Sequence, residues 1–171
     1  MTSTQARMTY VPIDRGAPLS PTISPAQSAA AAIYQATVGG VSGAGTDEDA
    51  LFSALSGQSP AELDALRAAY SAHYQRNLDR DVLGELQGMP RERAQALLLG
   101  DQAGADAIEL DRAMHGGPVG IWADEDAIFR TLEGKDNGAL ADLRSAYLSR
   151  TEGPGLRADL AASLSGDAKT R

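Results

Sequence analysis

Residues 47–70, DEDALFSALSGQSPAELDALRAAY, return 77 positions later as DEDAIFRTLEGKDNGALADLRSAY at 124–147, with 12 of 24 positions identical and no gap. A duplication of this length limits the fold to an array of similar units, each burying its apolar face against its neighbour. Aromatic residues make up only 5% of the chain, while alanine and leucine are abundant. That mixture favours helices over sheets, so the expectation is all-α. Helical segments are expected at about 25–38, 47–56, 60–75, 77–87 and 90–99. Ser24 can cap the first, and Ser59-Pro60 sets a cap before proline at the first helical position of the third. Leu63, Leu66, Tyr70 and Tyr74 recur at steps of three and four and so share one face.

The expected core is the set that recurs in both copies: Leu51, Phe52, Leu55, Leu63, Leu66 and Tyr70, then Ile128, Phe129, Leu132, Leu140, Leu143 and Tyr147. After ADLAASLSG only DAKTR remains where the first copy has PRERAQALLLG. The second copy is therefore expected to stop at about four helices, against five in the first. Residues 1–24, rich in proline and without periodicity, are expected to form an extended arm or linker. The two helical units are expected over 25–101 and 102–171.

The net charge of −8 and the pI near 4.7 argue against nucleic acid, whose binding needs clustered Lys and Arg. Anionic membranes should also repel the chain unless a cation bridges the two. No cysteine is present, which removes disulfides, thiolate metal sites and thiol nucleophiles. No 18-residue apolar run and no secretory signal are present, so a cytoplasmic address, or export by a non-classical route, is expected. Lys135 and Lys169 are the only lysines among many alanines and arginines, a bias that points to a GC-rich bacterial genome.

The stretch GVSGAGTDEDALFSAL, 40–55, carries more glycine than a helix entry requires. Thr46 or Asp47 already supplies a cap, so Gly43 and Gly45 are surplus to it. Together with LDALRAAYSAHYQRNLDRDVLGELQG, this loop resembles the annexin repeat, a helix followed by a G-x-G-T-[DE]-E loop and four more helices. The specific point of resemblance is Glu85, 40 residues after Gly45, where annexin repeats keep an acidic calcium ligand. The resemblance implies that the carbonyls of Val41, Gly43 and Gly45 and both carboxylate oxygens of Glu85 hold calcium. Calcium takes six to eight oxygens at about 2.3–2.6 Å, and glycine allows the backbone to turn carbonyls inward. A single carboxylate leaves the ion net positive, with open positions for a phosphoryl oxygen of an anionic phospholipid membrane. The protein would then be peripheral to the membrane when calcium is bound. The alternative is a glycine-rich turn with Glu85 solvated on its helix.

Departures from the family pattern bear on both units. Gln58 stands where annexins commonly carry arginine, which questions an ion pair there. The second loop, MHGGPVGIWADED, is longer than the family form and has Trp122 at the place of Gly45, and Ser163 stands opposite Glu85. Serine gives no bidentate ligation, so the second unit is expected to be calcium-free or weak. Ile121 and Trp122 either enter a membrane interface, where tryptophan is at home, or pack in the core. His73 and His115 lie far apart and are assigned surface or packing roles rather than metal or catalysis. No Walker loop, nucleophile elbow or H-E-x-x-H is present, and no enzyme activity is expected. Two functions remain: a calcium-dependent phospholipid-binding module, or a non-enzymatic interaction module with the same fold. The second would belong to a homo-oligomer or a larger secreted or injected assembly, because one strong site lacks multivalency.

Overall fold

A computed structural model of the chain describes residues 23–38, 46–115 and 123–164. Among these residues there are nine helices and no strand, in agreement with the all-α expectation. They are α1 (Pro25–Thr37), α2 (Glu48–Leu55), α3 (Pro60–Tyr74), α4 (Leu78–Glu85), α5 (Gly88–Leu98), α6 (Gln102–His115), α7 (Glu125–Leu132), α8 (Asn137–Arg150) and α9 (Leu156–Ser163). Residues 1–22, most of the expected arm, lie outside the described residues, as do 39–45, 116–122 and 165–171.

Local chemistry explains the helix starts. Ser24 and Ser59 each accept a hydrogen bond from the third residue of their helix, and the side chains of Gln27 and Glu62 reach back to the cap N–H. Both are capping boxes followed by proline, which needs no donor at that position. Asp47 and Asp124, 77 residues apart, cap α2 and α7 by accepting from Ala50 and Ala127, each at 3.0 Å.

The duplication extends to the fold. Helices α1 to α4 correspond to α6 to α9, with α5 as the additional fifth helix of the first unit. The Tyr70 hydroxyl donates to Asp81 at 2.9 Å, and its counterpart Tyr147 donates to Asp159 at 3.0 Å. Each bond ties the third helix of a unit to its fourth.

One apolar cluster lies in each unit. The first gathers Ile33, Leu51, Leu55, Leu63, Leu66, Tyr70, Leu78, Val82, Leu86, Leu97 and Leu98, all buried. The second holds Leu110, Ile128, Leu143, Tyr147 and Leu156. Of the expected core, Phe129, Leu132 and Leu140 are only half-buried. For Leu132 and Leu140 the reason is the fifth helix: their counterparts Leu55 and Leu63 share a cluster with Leu97 and Leu98 of α5, and among the described residues the second unit has no equivalent. Helix α6 joins the units by packing against α5 as well as α7 and α8.

Candidate functional site

The candidate site is framed by two helix junctions. The chain leaves α1 at Val38, whose N–H returns to Tyr34 at 2.8 Å, and comes back as the Asp47 N–H donates to the Ala36 carbonyl at 3.1 Å. The second unit closes identically, with the Asp124 N–H on the Ala113 carbonyl at 2.7 Å. Both closures span the same number of residues, so loop length does not distinguish the two units. The expected ligands Val41, Gly43 and Gly45, and the membrane-contact candidates Ile121 and Trp122, lie outside the described residues.

Glu85 is described. It is the last residue of α4, is exposed, and its carboxylate has no ion pair or hydrogen bond among the described residues. Helix α4 packs against α1, the helix that leads into the glycine loop. An unpaired carboxylate at a helix C-terminus sits beside the negative end of the macrodipole, an arrangement that a cation relieves. Among the described residues no three acids or histidines gather into a side-chain metal cluster, and residues 39–45, GGVSGAG, carry no acid. Carbonyls of such a loop, with water, would form a donor set that suits calcium. In the second unit the last residue of α9, the counterpart of α4, is Ser163, so the two places match in structure as well as in sequence.

The histidines stay apart. His73 is exposed and lies edge-on to Tyr74, with centroids 4.7 Å apart, and His115 places Nδ1 3.1 Å from Asp111 Oδ1. Gln58 makes a local bond, donating to the Ala54 carbonyl at 3.2 Å. Its counterpart Lys135 does form an ion pair, with Asp106 of α6 at 2.5 Å.

That pair belongs to a buried charged seam between the units, which sequence reasoning missed. Asp106 and Glu109 are each only 6% exposed. Glu109 accepts from Arg93 of α5 at 2.7 Å and from Arg112 at 2.6 Å, and Asp106 also accepts from Gln102 at 2.8 Å. The Arg93 guanidinium lies over the Phe52 ring, 4.3 Å from its centroid, a cation–π contact. Burial pushes the Arg93 pKa down, against the pull of Glu109 and Asp106, while the hydrogen bond to Glu109 raises that of Arg112. A polar cleft of about 610 Å³ opens here, with Asp49, Ser53, Arg130 and Lys135 among its lining residues. The signal for the seam was Asp106 and Glu109, three residues apart inside the run ADAIEL.

Two tandem helical units, joined through one helix and each closed over a loop by the same backbone bond, define a helical-repeat protein. Residues 30–97 match the Annexin family model. The chain is 28% identical to annexin A6 of Mus musculus over 134 residues, covering 74% of this chain and 20% of that protein. It is 35% identical to annexin A5 of Rattus norvegicus over 98 residues, covering 54% of this chain and 31% of that protein. Among solved structures, annexin III is similar over 86% of this chain and 42% of its own, at 29% identity and a TM-score of 0.38. The first unit is thus annexin-like, and the chain spans well under half the length of these relatives.

Proposed function

We propose that the protein binds anionic phospholipid surfaces through calcium held in the first unit, by the carbonyls of Val41, Gly43 and Gly45 and the carboxylate of Glu85. The observation that carries this reading is the exposed carboxylate of Glu85 at the end of α4, without a partner among the described residues, in a unit whose loop is closed by Asp47 on Ala36. Bidentate ligation by Glu85 would neutralise one of the two calcium charges. The remaining charge bridges a protein of net charge −8 to a phosphoryl oxygen that would otherwise repel it. The reading involves no catalytic step. The match of residues 30–97 to the annexin family model supports it, and Ser163 restricts it to one unit.

A second reading, a non-enzymatic interaction module that keeps the fold, is favoured by a separate observation, an apolar groove on the second unit that no helix among the described residues covers. Calorimetric titration with calcium, with and without phosphatidylserine vesicles, separates the two. Saturable calcium binding together with calcium-dependent sedimentation on vesicles supports the first. A folded protein that shows neither supports the second.

A further inference from the structure

The turn between α4 and α5 carries the Glu85 carboxylate, and the usual local devices for fixing such a turn are missing from it. Helix α4 has eight residues, and its C-cap Leu86 is extended, at φ −109° and ψ 151°, with no backbone bond back into the helix. Gln87 precedes α5 without a side-chain cap bond, and Gly88 follows in the left-handed region at φ +58°. One side chain crosses the turn. Arg91, near the start of α5, donates from Nη1 to the Leu83 carbonyl. That carbonyl lies in the last turn of α4, two residues before Glu85, where a helix leaves its final acceptors without intrahelical donors.

The core holds only one side of this turn. Val82 and Leu86 are 0% and 2% exposed, whereas Gly84 and Glu85 between them are exposed. Glycine inside a helix weakens it by leaving the backbone more freedom to lose. The last turn of α4 is thus prone to fray at the residue that bears the carboxylate, and the Arg91 guanidinium is what opposes this from outside the helix.

We propose that Arg91 is the positioning residue of the Glu85 site: reaching from α5, it holds the last turn of α4 in the helical form that presents the carboxylate. The proposal rests on the calcium reading of Glu85 and adds to it a residue that touches no ion. By charge alone a guanidinium near Glu85 would weaken a calcium site. As a clamp it strengthens the site, because it raises the fraction of molecules in which the turn is formed. The two roles predict opposite signs.

Arg91→Ala reads the sign. Amide exchange at Leu83, Gly84 and Glu85, measured in chelator, should speed up roughly three- to tenfold, the range for losing one exposed hydrogen bond. Arg91 is exposed, so the variant should fold, and circular dichroism verifies that it does. Calcium affinity by calorimetry should fall, by up to the same factor. Arg91→Lys, which keeps a donor, should recover part of both effects. Gly84→Ala, added to Arg91→Ala, should also recover part of both: it stiffens the turn without changing charge, and its methyl group meets nothing within 4 Å. Arg80, on the same helix, has no side-chain hydrogen bond or ion pair among the described residues. Arg80→Ala therefore removes one positive charge and should leave both readouts unchanged. Exchange that does not change in Arg91→Ala would overturn the proposal. So would a calcium affinity that rises or holds in that variant, which limits Arg91 to its charge. A wild type without saturable calcium binding would overturn the reading of Glu85 itself, and the exchange measured in chelator tells that failure from the failure of the clamp.

Discussion

Arg93, on the last helix of the first unit, donates to Glu109, on the first helix of the second, at 2.7 Å, and both side chains are largely removed from water. A buried ion pair of this kind is costly to break from one side, because the partner left behind is an uncompensated buried charge. Glu109→Leu should destabilise the protein by about 3–5 kcal/mol in denaturant unfolding. Adding Arg93→Met should recover part of that loss, since no buried cation is then stranded on α5. If the double variant is as unstable as the sum of the singles, the two charges do not act as a pair.

The half-buried leucines of the second unit predict an asymmetry between equivalent substitutions. Leu66→Ala and Leu143→Ala, at positions 1% and 0% exposed, should each cost about 2–5 kcal/mol. Leu63→Ala should fall in that range as well. Leu140→Ala, its counterpart in the second unit, should cost clearly less, because it is only partly buried. Thermal melts of the four variants test this, and equal losses at 63 and 140 would contradict the open groove.

Asp81 accepts from Arg76 at 2.5 Å and from the Tyr70 hydroxyl at 2.9 Å. The Arg76 hydrogen bond holds its pKa below the usual carboxylate value, opposed by burial and helped by Tyr70. Burial, aided by Asp81, pushes Tyr70 up to about 12. The Asp81 contribution is present above its unfolded pKa of about 3.9 and is lost as pH falls through the lower folded value. The Tyr70 contribution is present below about pH 10 and is lost as pH rises towards its folded value. Melting temperature should therefore fall at both ends. Asp81→Asn should flatten the acid limb and bring the ultraviolet titration of Tyr70 down. An acid limb unchanged in Asp81→Asn would show that other carboxylates control it.

Glu85 and Ser163 occupy the same place in the two units and form an internal control. Glu85→Gln keeps the shape but removes the only full negative charge proposed to touch calcium, so calcium affinity should collapse. Ser163→Ala should leave it unchanged. Calcium at a hundredfold excess over Kd should stabilise the wild type by about 2.7 kcal/mol, and that gain should vanish in Glu85→Gln. Wild-type affinity in the Gln variant, measured by calorimetry, would leave the glycine loop as a turn.

Much of this architecture is legible in the chain because it is written locally. Ser24, Asp47, Ser59 and Asp124 announce helix starts through their own hydrogen bonds, and each is observed as a cap. The 77-residue repeat carries the pairing of helices with it, down to the matched bonds Tyr70–Asp81 and Tyr147–Asp159. The glycine loop drew attention to Glu85, the one expected ligand among the described residues.

Burial and charge pairing depend on what another segment brings, and they were not legible in this way. Leu132 and Leu140 have the same periodicity as Leu55 and Leu63, yet only the latter are covered, because α5 lies over them. Asp106 and Glu109 read as acids on an amphipathic helix, but α5 and the turn before α8 deliver Arg93 and Lys135 to them and close them off from water. Helix type, helix limits and the number of units are short-range properties, determined by the sequence alone. Which apolar faces are sealed, which charges are buried in pairs and which groove stands open are long-range properties, and only the tertiary structure decided them, by setting which helix lies beside which.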